Sequence, residues 1–153
     1  MKVSDFTVVS NEKIADGVYQ MILSGDAGEI TRPGQFINIR LDGFYLRRPI
    51  SVCDWDDRSV TIIYKVVGDG TEKMSHFSGG EALDVMTGLG NVFDVSAAGE
   101  RPLLIGGGVG TPPLYRLAKE LENVVVILGF NSKSDVFYED EFKALSSEVY
   151  ITT

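Results

Sequence analysis

Two residue types that build many functional sites are almost missing from this chain. Its 153 residues include one cysteine, Cys53, and one histidine, His76. One cysteine excludes a disulfide framework within the chain, and a lone cysteine with a lone histidine argues against a zinc site. A serine–histidine triad would depend on His76, which no nucleophile-elbow sequence accompanies. The sequence therefore predicts no metal site and disfavours hydrolytic chemistry. We interpret His76 as a surface residue and Cys53 as a packed thiol.

Basic charge and long apolar runs are also scarce. Lysine and arginine number 14 against 22 aspartate and glutamate residues, so the net charge is −8. Nucleic-acid binding needs a basic surface and is therefore disfavoured, although a few arginines and backbone amides suffice for one phosphate. No apolar run reaches the length of a membrane span, and residues 1–5 contain no apolar signal region. We expect a cytoplasmic protein without nucleic-acid or membrane partners.

The first 97 residues have the pattern of an all-β domain. Short segments rich in β-branched and aromatic residues alternate with turns that contain glycine, proline or aspartate. We predict strands at residues 6–9, 18–23, 36–41, 50–53, 60–67 and 83–86, and one helical turn at 71–77. Closure removes exposed edges, so the pattern favours a six-stranded antiparallel Greek-key β barrel over an open sheet.

Residues 98–153 have a different pattern, in which apolar strands alternate with helices. We predict strands at 102–105, 124–130 and 149–152 and helices at 112–121 and 135–145. Thr111 is the predicted N-cap of the first helix, and the continuous apolar segment 124–130 predicts a strand covered on both faces. This βαβαβ order predicts a partial α/β Rossmann-like parallel sheet, half of a doubly wound domain.

Residues 47–51, with the sequence Arg-Arg-Pro-Ile-Ser, form the most informative segment. Pro49 keeps Arg48 extended and removes one main-chain donor, so a flat ligand could lie against this strand. The Arg48 guanidinium is a forked, charged donor suited to a diphosphate. Ser51 faces the same side of the strand as Pro49, where its hydroxyl could bond a ring nitrogen. An edge strand with surface arginines also explains these residues when they are taken alone.

Two glycine-containing turns follow this strand. In the first, Gly70 lets the backbone approach a ligand, and Thr71 would begin a helical turn whose free amides attract phosphate. An ordinary capped turn explains the same residues. The second turn comprises Gly106, Gly107, Gly108, Val109 and Gly110, between a predicted strand and a predicted helix. That is the context of a dinucleotide-binding turn, although the G-x-G-x-x-G fingerprint is absent. Asn131 and Ser132 offer no arginine for a ribose phosphate, which slightly favours NADH over NADPH.

Together, the order and spacing of these segments resemble the ferredoxin–NADP reductase superfamily. Within it, the chain is most similar to the electron-transfer subunits of bacterial dihydroorotate dehydrogenase, through residues 47–53, 63–65, 88–93 and 106–115. The resemblance implies that residues 1–97 bind FAD and that residues 98–153 are an incomplete NAD-binding lobe. It implies FAD contacts from Arg48, Pro49, Ile50, Ser51, Ile63, Tyr64, Lys65, Gly70 and Thr71. It also implies that Gly106, Gly107, Gly108, Val109 and Gly110 face NAD.

The same resemblance implies a function in pyrimidine biosynthesis. Electrons would pass between NAD(H) and dihydroorotate through FAD, a 2Fe–2S cluster and a flavin in a separate catalytic dihydroorotate dehydrogenase subunit. Hydride transfer needs stacking rather than a protein acid or base, so only Ser51 is expected near the flavin ring. Members of that family are longer and carry cysteines for the cluster, whereas this chain has Cys53 alone. We therefore favour a fragment over a divergent short form.

Two other interpretations stay open at this point. The chain could be a reductase subunit of the same superfamily that serves a hydrogenase or a ferredoxin. It could also be a non-catalytic FAD-binding module that docks on a partner without turnover.

Overall fold

A closed antiparallel barrel forms the first part of the chain in the computed structural model, which describes residues 1–153. Its strands are β1 (Lys2–Ala15), β2 (Val18–Ser24), β3 (Phe36–Ile39), β4 (Arg48–Trp55), β5 (Ser59–Lys65) and β6 (Ala82–Leu89). Around the barrel they run in the order β1-β2-β5-β4-β3-β6, and helix α1 (Asp69–Ser75) connects β5 to β6. The barrel confirms the predicted six-stranded fold. Its core contains 16 buried residues, of which Tyr64, Phe6 and Met21 are among the largest.

Strand β1 is much longer than its apolar pattern predicts. The strand pairs first with β6 and then with β2, and its register with β2 shifts between Val8 and Ser10 and between Lys13 and Ala15. Bulges of this kind bend a strand, so one strand can follow the curved wall of the barrel. The second half of β1 is therefore held in the sheet by main-chain hydrogen bonds rather than by buried side chains. A search for alternating apolar residues could not predict this half of the strand.

A three-stranded parallel sheet with two helices forms the second part of the chain. Its elements are β7 (Leu103–Gly107), α2 (Pro112–Glu120), β8 (Val125–Gly129), α3 (Glu139–Leu145) and β9 (Glu148–Thr152). The strand order β7-β8-β9 confirms the predicted βαβαβ arrangement. We call this part the lobe. The predicted domain boundary lies between β6 and β7, in a connection whose one regular element is the 3-10 turn Val95–Ala97.

The lobe sheet is covered by helices on one face, so the prediction of a strand covered on both faces is wrong. Val126 and Leu128 are buried in the same apolar cluster as residues of α2 and α3. On the other face, Val125 and Ile127 of β8 are only half-buried, and Leu103, Ile105 and Tyr150 of the neighbouring strands are 53%, 67% and 53% exposed. Both helices of the lobe pack on the face that contains Val126, so no helix covers the opposite face of the sheet.

The two lobe helices also begin differently from the sequence expectation. Thr111 precedes α2, but its hydroxyl makes no capping bond. A capping hydroxyl can accept a hydrogen bond from the amide of the second helical residue. In α2 that residue is Pro113, which has no N–H to donate. Helix α3 begins at Glu139 rather than at residue 135, because Tyr138 adopts a left-handed conformation with φ of 62°. That turn directs the Tyr138 hydroxyl to Gln20 Oε1, at 2.8 Å.

Helix α2 attaches the lobe to the barrel along β4. Arg116 Nη1 and Lys119 Nζ lie 3.1 Å and 2.7 Å from the Asp54 carboxylate, and the Arg116 guanidinium lies 4.2 Å from the centre of the Trp55 ring. Three barrel residues, Val18, Cys53 and Ile63, are buried in the apolar cluster of the lobe. The barrel and the lobe therefore share a core. None of the helices is both long enough and apolar enough to span a membrane.

Gly106 is the point at which α2 packs most closely on β7. A Cβ atom there would lie 2.8 Å from Leu114 Cδ1 and 3.2 Å from Thr111 Cα. We expect Gly106→Ala to lower the free energy of unfolding by about 1–3 kcal/mol, because main chain must shift to relieve the overpacking. The free energy of unfolding is measured by urea titration monitored by circular dichroism. Gly110→Ala is the matched control, since a Cβ at Gly110 meets no atom within 4 Å. Equal losses in both variants would contradict this packing role.

Candidate cofactor-binding site

A pocket lies on the outer face of the barrel, where β4 begins and β5 ends beside α1. Its volume is about 350 Å³, within the range of about 300–1,000 Å³ that is typical of small-molecule sites. It is lined by Arg48, Pro49, Ile50, Ser51, Ile63, Tyr64, Lys65, Val67, Thr71 and Val109. The fold thus brings together every residue that the sequence assigned to FAD except Gly70. We call this cavity the barrel pocket.

Alternation along the strands decides which side chains face the barrel pocket. Ile50 and Tyr64 belong to the apolar cluster inside the barrel, so their main chains border the pocket. Pro49 and Ser51 project to the outer side of β4, and the Ser51 hydroxyl has no hydrogen-bond partner within the protein. A proline without an N–H and a free hydroxyl two residues later form a flat wall with one polar group.

The two neighbouring arginines have different surroundings. Arg47 Nη1 lies 2.6 Å from the Asp84 carboxylate and donates to the carbonyl oxygens of Asn38 and Asp84, both at 3.2 Å. Arg48 has no carboxylate partner; it donates to the Leu46 carbonyl, and its guanidinium lies 4.7 Å from the centre of the Phe44 ring. Arg47 is therefore committed to the barrel, whereas the charge of Arg48 remains available to an anion.

The turn at Gly70 and Thr71 differs from the sequence expectation. Helix α1 begins at Asp69, so the prediction that Thr71 begins the turn is wrong. The Thr71 hydroxyl accepts from the amides of Val67 and Gly68, at 2.9 Å and 3.2 Å, and donates to the Gly68 carbonyl. It fixes the turn itself. Gly70 makes room for Arg48, since a Cβ there would lie 2.1 Å from Arg48 Nε.

A half-buried amide that the sequence analysis missed, Asn11, holds α1 in place. Asn11 Nδ2 donates to the carbonyl oxygens of Met74 and Phe77, at 2.9 Å and 3.0 Å, and Asn11 Oδ1 accepts from the Tyr64 hydroxyl at 2.9 Å. One side chain thus joins β1, β5 and the end of α1. Asparagine is depleted in strands, and the part of β1 that contains Asn11 was itself not predicted, so the sequence offered no signal for this contact.

A second pocket, which we call the lobe pocket, lies at the carboxyl ends of β7 and β8. Its volume is about 490 Å³, and it is lined by Val18, Lys65, Gly107, Gly108, Val109, Gly129, Phe130, Asn131, Asp135 and Phe137. Ligands of open α/β sheets bind at this end of the strands. Gly108 has φ of +49°, a conformation that favours glycine. Of the predicted glycine turn, Gly106 and Gly110 do not line the pocket.

The barrel pocket and the lobe pocket share two lining residues, Lys65 and Val109. Lys65 Nζ lies 3.2 Å from Asp135 Oδ1, and their side chains are 36% and 18% exposed. Asp135 Oδ2 accepts from the Ser132 hydroxyl at 2.7 Å. This hydroxyl first, and Lys65 second, lower the pKa of Asp135 below its ordinary value. The sequence analysis missed Asp135, because it is 70 positions from its partner.

The chain's single cysteine and single histidine lie where the sequence analysis expected them. Cys53 is fully buried, and burial raises the pKa of its thiol to about 12, so it remains protonated and inert. The His76 side chain is 74% exposed and lies 3.2 Å from Glu72.

Similar proteins carry one recurrent name. No family model matches the chain. The Dihydroorotate dehydrogenase B (NAD(+)) electron transfer subunit of Fusobacterium nucleatum subsp. nucleatum is 47% identical over 165 residues, which cover 100% of this chain and 63% of the relative. The subunit of the same name from Bacillus pumilus is 44% identical and is covered over 64% of its length. The chain therefore spans a little under two thirds of the curated relatives that it matches.

Solved structures agree with the fold. The NADH-dependent reduced ferredoxin–NADP oxidoreductase has a TM-score of 0.85 and 33% identity, with 95% of this chain and 55% of that chain covered. Phthalate dioxygenase reductase has a TM-score of 0.80 at 20% identity, with 97% and 51% covered, and shows likeness of fold alone. Over its 153 residues, the chain is similar to the electron transfer subunits of Dihydroorotate dehydrogenase B (NAD(+)), and it has the fold of the ferredoxin–NADP reductase-like structures.

Proposed function

We propose that this chain is the FAD-binding and NAD(H)-facing part of an electron-transfer subunit. In the whole protein, it would pass electrons between NAD(H) and a separate catalytic subunit that oxidises dihydroorotate in pyrimidine biosynthesis. The observation that supports this most directly is the pair of adjoining pockets with a common wall of Lys65 and Val109. Two cofactors that exchange a hydride must lie next to each other.

The barrel pocket has the chemical groups that FAD needs. Arg48 is a cation without a carboxylate partner, and it suits a diphosphate. Ser51 contributes a free hydroxyl, and Pro49 contributes a wall without a main-chain donor. Gly70 leaves the space in which the Arg48 side chain lies. These residues fit an anionic, flat cofactor, although their contacts with FAD remain part of the proposal.

The chain's residues would act by position rather than by proton transfer. Bound FAD would supply two-electron exchange with nicotinamide and onward electron transfer. Arg48 would balance phosphate charge, and Ser51 would orient the ring through one hydrogen bond. Gly107 and Gly108 would let the nicotinamide nucleotide approach the main chain. Hydride transfer between nicotinamide and flavin requires no protein acid or base, so positioning is the role assigned to these residues.

A 2Fe–2S cluster does not fit the residues of this chain. Such clusters are held by four cysteine thiolates, or by two cysteines and two histidines. This chain has one cysteine, and it is buried in the apolar core shared by barrel and lobe. No step assigned to these 153 residues therefore involves a cluster.

A second candidate is a reductase subunit that serves a ferredoxin or a hydrogenase. The observation that favours it is the 33% identity over 95% of the chain with the NADH-dependent reduced ferredoxin–NADP oxidoreductase. Transfer from the reduced chain to ferredoxin, with none to a dihydroorotate dehydrogenase catalytic subunit, would decide for this candidate.

The first prediction concerns flavin binding and reduction. We expect the purified chain, supplied with FAD, to show a flavin absorption spectrum in the visible range that bleaches when NADH is added without air. A flavin spectrum that persists would favour a non-catalytic FAD-binding module. Failure to retain FAD at all would contradict the proposal.

The second prediction tests the Arg48 site through its neighbour. Gly70→Ala should weaken FAD binding by about 10- to 100-fold, because the new methyl group displaces the Arg48 guanidinium and a charge-assisted bond is worth about 1.5–3 kcal/mol. Its effect on folding should be small, since the displaced group is a flexible side chain. Gly68→Ala is the matched control, since a Cβ there meets no atom within 4 Å. Fluorescence titration with FAD measures the affinity of both variants. Equal affinities would show that Arg48 does not bind the phosphates.

The third prediction concerns the half-buried amide of Asn11. Asn11→Ala should weaken FAD binding by roughly tenfold, about 1.4 kcal/mol, because α1 and the Thr71 wall of the pocket lose their anchor. Gln35→Ala is the control: Gln35 is a buried amide that likewise makes three hydrogen bonds of good length, but these join the main chain of Thr31, Arg32 and Glu29, away from both pockets.

Both of these variants should lose stability, since each removes buried hydrogen bonds. Thermal unfolding and FAD titration of the two variants separate the effects. If the control loses FAD affinity as strongly as Asn11→Ala, the loss reflects general destabilisation and Asn11 has no positioning role.

A further inference from the structure

Lys65 is the one charged residue that lines both pockets. Its ammonium group lies at the end of β5, where the outer face of the barrel meets the lobe. It is one of two cations in the barrel pocket, and Arg48 is the other. In the lobe pocket it is the only cation, and Asp135 is the only anion.

The charge of Lys65 is shared rather than free. Asp135 Oδ1 lies 3.2 Å from Lys65 Nζ, and the Asp135 side chain is 18% exposed. The Ser132 hydroxyl bonds the other oxygen of Asp135 and holds the carboxylate in place. Partly buried charges are weakly screened by water. The electrostatic potential in the barrel pocket therefore depends on how much of the Lys65 charge Asp135 compensates.

We propose that Lys65 and Asp135 together set the reduction potential of the flavin. This inference rests on the proposed function. When NADH reduces FAD, the C–H bond of nicotinamide breaks, an N–H bond forms on the flavin, and two electrons move with the hydride. NAD⁺ is released, and the flavin ring gains one negative charge. Lys65 stabilises that charge, and Asp135 limits the stabilisation.

An ion pair between barrel and lobe also has a simpler explanation, in which it only joins the two parts. The chain contains a matched pair for this comparison. Lys119 Nζ lies 2.7 Å from Asp54 Oδ2, and these side chains are 36% and 23% exposed, against 36% and 18% for Lys65 and Asp135. Lys119 and Asp54 also join barrel to lobe, but neither lines the barrel pocket or the lobe pocket.

The test measures the reduction potential of FAD bound to the purified chain, against a reference dye without air. Lys65→Met should lower the potential and Asp135→Asn should raise it. Each change should alter the ratio of reduced to oxidised flavin about tenfold, which is about 30 mV for a two-electron couple. Lys119→Met should leave the potential unchanged. If the ion pair were only a structural contact, Lys65→Met and Asp135→Asn would shift the reduction potential in the same direction. Shifts of opposite sign are therefore the diagnostic result.

The remaining outcomes separate this inference from the proposed function. If the unaltered chain does not bind FAD, the proposed function is wrong and the inference with it. If it binds FAD but the Lys65 and Asp135 variants shift together, or not at all, the inference alone is wrong. If Lys65→Met releases its FAD, Asp135→Asn decides by itself, because it leaves both cations of the barrel pocket in place; an unchanged or lowered potential would overturn the inference.

Discussion

The relative placement of the barrel, the barrel pocket and the lobe depends on strand β4. The inner face of this strand packs in the barrel, and its outer face contacts first the barrel pocket and then the lobe. Its inner residues, such as Val52, fill the barrel. On its outer face, Pro49 and Ser51 form the floor of the barrel pocket, and Cys53 comes two residues later and is already buried under the lobe. A strand advances about 3.3 Å per residue, so the pocket and the lobe contact are only about 7 Å apart. Strand β4 therefore brings the lobe close to the barrel pocket, while Lys65 at the end of β5 and Val109 form the common wall of the two pockets.

Ion pairs and a shared apolar core hold the lobe firmly against the barrel. Arg116 stacks on Trp55 and pairs with Asp54, both of which follow directly on the pocket-forming part of β4. Barrel residues Val18 and Ile63 complete the apolar core of the lobe. Separating the parts would expose this core as well as break the ion pairs, and burial of the apolar side chains stabilises the junction more than partly exposed ion pairs do. A fixed junction suits hydride transfer, in which the donor and acceptor atoms must keep a short distance.

Local patterns predicted the barrel strands, the βαβαβ order and a ligand-facing role for Arg48, Pro49, Ser51 and Thr71, because each depends on short-range signals. The other four predicted residues that line the barrel pocket came from the family resemblance alone: Ile50, Ile63, Tyr64 and Lys65. Asn11 and Asp135 could not be predicted in the same way. The contacts of Asn11 with α1 and β5 and the contact of Asp135 with Lys65 join positions 53 to 70 residues apart, and neither position shows a distinctive neighbour in sequence. The late start of α3 has a similar cause, since the left-handed turn at Tyr138 serves a contact with Gln20 across the junction. The exposed face of the lobe sheet was mispredicted because an apolar strand does not reveal how many helices cover it.

The distribution of charge explains how a chain with net charge −8 could attract an anionic cofactor. Arg47 is paired with Asp84, and Lys65 is paired with Asp135. Among the residues that line the two pockets, Arg48 is the only cation without a carboxylate partner. The protein's overall field repels anions, so binding would depend on this local site and on the shape of the pocket rather than on long-range attraction. Because the field favours no anion in general, a ligand that reached Arg48 without also fitting the wall of Pro49 and Ser51 would gain little. The proposed selectivity for a flat diphosphate cofactor would therefore come from the shape of the barrel pocket together with the Arg48 charge.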